Sequence, residues 1–343
     1  MSITQPSLGA PWARRVGAVA LSRETAVVVA LIVVIAATTA SNPHFLFGAD
    51  GVRDLLLTPA LLVLLAVGQA VVLITRNIDL SSGSVLGLGA WLSASTLANQ
   101  PGTPPILVAL MAVLLGAVAG AVNGFFVAVL GAPALVVTLG ALYAFRGINV
   151  LWADGKVIGA AKMPGDFLRF GVGGFLSLPN LSVIAVLLVV VVAWYMYKRP
   201  TARELYAIGS DPQAATLLGL RGKRRVFLVF VASGAIAGLA GFMYAARYGA
   251  VDSQAGSGLE LSAVAAAVLG GVAIFGGSGT VWGAAIGAVL LITINRALPI
   301  MGVPDFWQQA VVGLLIIGAI VLDRLLALRR RRRLSAIREN EHD

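Results

Sequence analysis

The 343-residue sequence contains no cysteine and only two histidines, His44 and His342. Without cysteine the chain forms no disulfide, no thiolate metal site and no cysteine nucleophile. The two histidines fall in a predicted loop and at the last-but-one position, so they supply no histidine cluster for metal binding or catalysis. We therefore expect neither a metal site nor a bound cofactor.

Charged residues are also scarce: they make up 12% of the chain, whereas 59% is hydrophobic. A soluble domain is typically about 25% charged, and a soluble chain of this length would need two well-covered cores. The composition excludes a water-soluble enzyme, and the apolar content excludes a disordered chain. An all-α polytopic membrane protein remains.

Long apolar runs separated by short polar segments indicate membrane-spanning helices, each of which needs about 20 residues. The runs are continuous, as in Leu181–Tyr197, and lack the alternation of a membrane barrel. The eighth predicted span is short and rich in Ala and Gly, so it is either continuous or broken and re-entrant. The sequence predicts about ten spans: 25–41, 55–74, 83–98, 105–130, 132–151, 180–197, 226–246, 260–275, 281–297 and 306–323.

Basic residues define the orientation and the division of the chain. The net charge is +10, but 18 of the 25 Lys and Arg lie at the two chain ends, in the turn after the second span and in the loop 198–225. This distribution points to the membrane surface rather than nucleic acid, and it predicts that both termini are cytoplasmic. We expect a cytoplasmic arm (1–24), one transmembrane domain (25–325) containing the loop 198–225, and a basic tail (326–343).

The predicted spans contain few residues that could bind ions or catalyse a reaction. No carboxylate falls at the centre of a predicted span, which argues against a gradient-driven carrier or an ion channel. The absence of cysteine, and of histidine or clustered carboxylates within the predicted spans, argues against a membrane-embedded enzyme. A phosphate-binding loop needs Gly-Lys-Ser/Thr, but the four lysines precede Val157, Met163, Arg199 and Arg224. Any ATP must therefore be hydrolysed by another subunit.

A short motif occurs twice, once before the third span and once before the eighth. Ile78-Asp79-Leu80-Ser81 is echoed by Leu259-Glu260-Leu261-Ser262. The two spans are five apart, so the copies would run in opposite directions, as in the inverted repeats of many transporters. Asp79 and Glu260 fall at predicted helix N-termini, where an acid caps the helix. A direct substrate contact and a chance match are the alternatives.

The loop 198–225 contains a predicted short helix that suits docking. Asp211 can cap its N-terminus with Pro212 in the first helical position, and Gly219 can end it. Leu217 and Leu218 give it an apolar tip, which is suited to a groove on a partner protein.

These motifs together resemble the permease subunits of ABC-type sugar importers, in the branch that imports ribose, rhamnose and autoinducer-2. The resemblance covers about residues 50–325 and rests on the stretch 75–84, the loop 198–225 and the segment 256–287. It departs at Ser82, where the family usually has Val. Thr-Arg-Asn before Ile78, and Leu151-Trp152 followed by Gly155-Lys156, are most similar to the autoinducer-2 permeases.

The resemblance implies a pore-forming subunit of the bacterial inner membrane that performs no chemistry itself. It implies three partners: a second permease chain (identical or a sister), a periplasmic sugar-binding protein, and an ATPase with two fused nucleotide domains docked on the loop 198–225. A stand-alone facilitator or gradient-driven carrier is the alternative. The implied ATPase-coupling residues are Gly209, Asp211, Ala214, Ala215 and Gly219. The implied motif residues near the pathway or at helix ends are Asn77, Asp79, Ser81, Glu260, Gly270 and Gly271.

Overall fold

The computed structural model of the protein describes residues 23–175 and 178–304, with scattered residues between 307 and 321. Within this part, seven helices are long and apolar enough to cross a membrane. The prediction of an all-α polytopic membrane protein is confirmed. The predicted arm, apart from Arg23 and Glu24, and the predicted tail lie outside the described residues.

The helices follow one another with short connections along most of the chain. They are α1 (Arg23–Ser41), α2 (His44–Phe47), α3 (Gly51–Leu57), α4 (Ala60–Ile74), α5 (Ser82–Asn99), α6 (Pro105–Gly124), α7 (Ala134–Ala153), α8 (Gly165–Val172), α9 (Asn180–Lys198), α10 (Pro200–Ser210), α11 (Pro212–Leu217), α12 (Gly222–Tyr248), α13 (Leu259–Leu269) and α14 (Val281–Ile300). A π-helical turn (Phe125–Val129) extends α6, Ala160–Lys162 forms a 3-10 turn, and β1 (Gly174–Phe175) pairs antiparallel with β2 (Leu178–Pro179).

The count of ten spans is not confirmed. The predicted third span is α5, a helix of the expected length that is rich in Gly and Ser and buried along most of its length. The predicted eighth span is the 11-residue helix α13, which is too short to cross a bilayer alone. It stops at Gly270, before the left-handed Gly271 (φ 88°). Most of the predicted tenth span falls outside the described residues.

Glycines allow the central helices to approach closely. A Cβ atom on Gly116 of α6 would overlap the carbonyl oxygen of Gly234 on α12, and one on Gly234 would overlap that of Gly116. Gly120 meets Phe230 in the same way one turn further along. Small residues at four-residue spacing bring membrane helices into such contact, so these glycines set the close packing of α6 on α12.

The centre of the bundle is α4, in which every residue except Val71 is buried. By contrast, α7 and α9 expose apolar side chains such as Val136, Tyr143 and Leu187. Apolar surface of this kind is expected where a membrane protein faces lipid or another membrane subunit. The bundle is thus built around α4, with its outer helices apolar on the outside.

The two ends of the bundle carry different connections. At the end termed here the junction end, the loop after α4, the α10–α11 turn and the loop before α14 meet around Ile74, Gly209 and Gly277. At the opposite end, α8 packs on the end of α12, where Gly171 lies against Ala246. There Ile158 and Val251 exchange two main-chain hydrogen bonds of 3.0 Å each.

Candidate functional site

The elbow, defined as α10, Asp211 and α11, is shaped by its own sequence. The Oδ1 atom of Asp211 accepts hydrogen bonds from the main-chain amides of Gln213 and Ala214, each at 3.0 Å. Pro212 occupies the first helical position. After the helix, Gly219 adopts a left-handed conformation (φ 74°). The predicted cap, first residue and glycine end are all present, and they hold α11 as a separate short helix.

One side of α11 is free and the other is packed. Leu217 and Leu218 are 90% and 77% exposed, whereas Ala215 is 4% exposed and faces the protein. The exposed leucines agree with the predicted apolar tip. Ala215, expected to act in ATPase coupling, instead lies on the inner side of the helix. Any direct docking contact of α11 must therefore come from its exposed residues, which include Ala214 and Leu217, and not from Ala215.

The elbow rests on two distant segments of chain. A Cβ atom on Gly209 would overlap the carbonyl oxygen of Ile74 and lie 2.8 Å from the amide nitrogen of Gly277. The same Gly277 amide donates a hydrogen bond of 2.9 Å to Ile74, and the Tyr206 hydroxyl donates one of 3.0 Å to the carbonyl of Gly279. The elbow is therefore in direct contact with both the end of α4 and the loop before α14.

The loop after α4 leads from this junction to a buried polar cluster. Asp79 is 1% exposed. Its Oδ1 atom accepts hydrogen bonds from the amide and hydroxyl of Ser81, at 2.9 and 2.7 Å. Its Oδ2 atom accepts one from the Ser233 hydroxyl at 3.4 Å, and Asn123 donates to the Ser81 hydroxyl at 2.7 Å. Asp79 thus secures the start of α5 and ties it to α6 and α12.

Asn77, the first of the expected motif residues, has a local role. Its amide nitrogen donates to the carbonyl and the hydroxyl of Thr75, at 2.9 and 3.1 Å. The preceding Arg76 has a left-handed backbone (φ 65°) and packs against Gly276. Asn77 therefore stabilises the turn between the junction and Asp79.

Glu260 lies at the start of α13 and faces the start of α5. It is 8% exposed, and its Oε1 atom accepts a hydrogen bond of 3.1 Å from the Gly258 amide. A Cβ atom on Gly83 would overlap Glu260 Oε2 and lie 2.6 Å from the carbonyl oxygen of Gly256. The two motif copies, far apart in sequence, thus meet at the N-termini of their helices.

From this meeting point the two helices lead to opposite ends of the bundle. After α13, the chain reaches Gly277 at the junction end. The chain leaves α5 for α6, whose Ala112 packs against Gly238 in the half of α12 remote from the junction. The opposite directions agree with the inverted arrangement expected from the motif.

The glycines after α13 provide another close contact. A Cβ atom on Gly270 would overlap the carbonyl oxygen of Gly283 on α14. Gly271 adopts φ 88°, a conformation that strains other residues. These two expected motif residues turn the chain between α13 and α14.

Several polar residues that the sequence analysis did not select as site residues complete the arrangement. Arg146 donates to the carbonyl oxygens of Ala255 and Ser253 at 2.7 and 3.2 Å, and Asn149 donates to Ser253 at 3.0 Å. These bonds hold the segment that precedes α13. A lone polar residue within an apolar helix is the available signal for such positions, and Ser233 has the same signature.

No group of three or more His, Asp or Glu residues that could hold a metal lies within the described ranges. The arrangement instead consists of a capped external helix, a glycine-lined junction and two buried helix starts. The junction thus joins the external helix to the loop that leads to Asp79 and to the loop that follows α13.

Comparison with known proteins identifies the family of the chain. Residues 51–320 match the family described as "Branched-chain amino acid transport system / permease component". The chain belongs to this family. It is therefore a multi-pass transport permease rather than an enzyme. No solved structure matches it.

The permease is also similar to curated relatives named "Autoinducer 2 import system permease protein LsrC". The protein of Enterobacter sp. (strain 638) is 37% identical over 303 residues, which is 88% of this chain and 87% of the relative. The Salmonella typhi protein is 39% identical over 263 residues, which is 77% of this chain and 75% of the relative. The Photorhabdus luminescens protein is 36% identical over 280 residues, which is 82% of this chain and 83% of the relative.

Proposed function

We propose that this permease is the pore-forming subunit of an ATP-driven, binding-protein-dependent importer for a sugar of the autoinducer-2, ribose or rhamnose class. Relatives that cover more than four fifths of the chain are named for autoinducer-2 import. Autoinducer-2 is therefore the first substrate to test. The family description names branched-chain amino acids, which makes those the matched comparison substrate.

The observation that carries the proposal is the elbow. The sequence has no phosphate-binding loop, yet α11 presents two exposed leucines on a helix capped by Asp211. An external ATPase with two fused nucleotide domains would bind this helix, and Gly209, Ala214, Ala215 and Gly219 would shape the surface that it binds. The elbow then lies in the cytoplasm, in agreement with the seven basic residues of the loop 198–225.

The remaining partners and the orientation follow from this placement. Both termini are cytoplasmic, and the permease lies in the inner membrane. A periplasmic sugar-binding protein delivers substrate at the opposite end, near residues 152–179. A second permease subunit, identical or a sister chain, completes the pore.

Movement of the ATPase would reach the two motif helices through the junction. The elbow contacts Ile74 and Gly277, which lead to Asp79 and to the end of α13 respectively. Since both motif helices begin at one buried point, a shift of either segment alters their mutual packing. In this way ATP binding would switch the pore between its two access states.

The test replaces the two exposed leucines at the end of α11 with glutamate in one double variant, Leu217→Glu with Leu218→Glu, and measures retention of the ATPase on the affinity-purified permease. Charged side chains cannot enter an apolar groove without loss of solvation, so retention should fall at least tenfold. The matched control is Leu178→Glu, an exposed leucine at the opposite end. Equal retention by the double variant and the control would refute the docking assignment. Vigorous uptake by the permease alone in proteoliposomes would refute the ATP-driven mechanism.

A further inference from the structure

A groove of about 410 Å³ opens on the side of the bundle between α9 and α12. Gly68 and Val71 of α4 form its floor, and Leu205 of the elbow closes it near the junction end. Its walls are mostly aliphatic. They are formed by Val191, Val192, Met196, Leu228, Val229, Ala232 and Ile236.

The groove runs lengthwise along the bundle, parallel to α12. Arg225 lies at one end and Ile236 towards the other, and both are on α12. Eleven residues of helix rise about 16 Å, which is about half the hydrocarbon thickness of a bilayer. The groove is therefore long enough for much of one lipid chain within one leaflet.

Aromatic and basic side chains surround the end of the groove near Arg225, termed here the shallow end; the end near Ile236 is the deep end. Trp194 and Tyr195 line it, and the guanidinium carbon of Arg199 lies 5.0 Å from the centre of the Trp194 ring. Arg225 also lines it, but Glu204 accepts hydrogen bonds from its Nε and Nη2 atoms at 2.7 and 3.1 Å. Arg199 forms no ion pair with a carboxylate within residues 23–175 and 178–304.

The walls and the rim of the groove differ in polarity, so they suit a ligand with one apolar and one charged part. A sugar needs polar partners, and the hydroxyl of Ser233, at the deep end, already donates to Asp79. Aliphatic walls fit a hydrocarbon chain, and an aromatic and basic rim is typical of the level of lipid headgroups. Because Arg199 has no carboxylate partner in the part of the chain that the structure describes, its positive charge favours a headgroup of net negative charge.

We propose that this groove binds one acyl chain of an anionic phospholipid, whose phosphate lies against Arg199. The assignment to the cytoplasmic leaflet rests on the orientation given under Proposed function. Lipid retention itself is measured on the permease without the ATPase, so its outcome is independent of whether the docking assignment fails.

The groove lies between the elbow and the buried cluster around Asp79. A Cβ atom on Gly68 would lie 3.3 Å from the Ser233 hydroxyl, which places the groove floor directly behind the Asp79 cluster. At the other end, Leu205 belongs to the elbow. A bound chain would therefore contact both the elbow and the helix that holds Asp79, and its occupancy would stabilise their relative position.

The first experiment purifies the full-length permease in mild detergent from mixtures of phosphatidylglycerol and phosphatidylethanolamine, and counts retained lipid by native mass spectrometry. We expect the wild type to retain phosphatidylglycerol. Ala232→Trp, at an exposed alanine that lines the groove, should reduce retention at least fivefold. Leu114→Trp, at an exposed position on α6, is the matched control and should retain lipid like the wild type.

The headgroup part of the proposal has its own variant. Arg199→Gln should lower the preference for phosphatidylglycerol about fivefold, the effect of one charge near the membrane surface. Retention of the two lipids in equal amounts by the wild type would overturn the anionic assignment. Retention by Ala232→Trp equal to that of Leu114→Trp would overturn the site.

A second measurement does not depend on the folding of the tryptophan variant. A photo-crosslinking amino acid at position 232 in the assembled transporter should form adducts with phospholipid. Crosslinking to another permease chain or to the ATPase, with no lipid adduct, would show that a protein covers the groove and would overturn the proposal.

Discussion

The amide of Gly277 and the carbonyl oxygen of Ile74 form a main-chain hydrogen bond of 2.9 Å, although about 200 residues separate them in sequence. Gly209 of the elbow packs directly over this bond. Three segments of chain thus meet with their backbones in direct contact, and a side chain at either glycine position would push them apart.

The first prediction concerns Gly209. Gly209→Ala should lower the free energy of unfolding by about 1–3 kcal/mol, the usual effect of overpacking a tight contact. The new methyl group would overlap the Ile74 carbonyl oxygen, which is backbone and cannot rotate away. Thermal unfolding of the purified permease measures the change. Gly222→Ala is the control, because nothing lies within 4 Å of its Cβ position; equal unfolding temperatures for both variants would contradict the packing described here.

The second prediction concerns Asp79. Asp79→Ala removes the acceptor for both the amide and the hydroxyl of Ser81. Buried donors without partners cost about 1–3 kcal/mol, so the variant should unfold at a clearly lower temperature and lose transport. The control is Asp166→Ala, which breaks an exposed ion pair with Arg169 and should change stability little. A fully stable, active Asp79→Ala permease would show that the cluster does not hold α5.

The third prediction concerns pH and the elbow. Two hydrogen bonds from Arg225 hold the pKa of Glu204 below its ordinary value. A carboxyl group with a lowered folded pKa adds stability above its unfolded pKa, near 4.3, and this contribution disappears as the pH falls through the folded pKa. The wild type should therefore lose more thermal stability between pH 5 and about pH 3 than Glu204→Gln. Parallel curves for the two proteins would exclude a contribution from this pair.

Features that depend on neighbouring residues were predictable from the sequence. The cap formed by Asp211, Pro212 in the first helical position and the glycine end at Gly219 all lie within nine residues, and each follows from local backbone chemistry. The close packing of α6 on α12 also follows, because glycines at four-residue spacing mark one face of a helix.

Features that depend on distant partners could not be predicted. Nothing near Gly209 indicates that Ile74 and Gly277 lie against it, and nothing near Asp79 identifies Ser233 as its partner. The inward position of Ala215 likewise depends on how the elbow sits on the bundle. The orientation of a short helix is fixed by tertiary packing, which its own sequence does not specify.

The meeting of Gly83 with Glu260 has a mechanical consequence. Because α5 and α13 start at a shared point and extend to opposite ends of the bundle, this point can serve as a fulcrum. A tilt about a fulcrum widens one end while it narrows the other. A single rigid-body movement would then suffice to open one entrance and shut the other, with no need for two separately controlled gates.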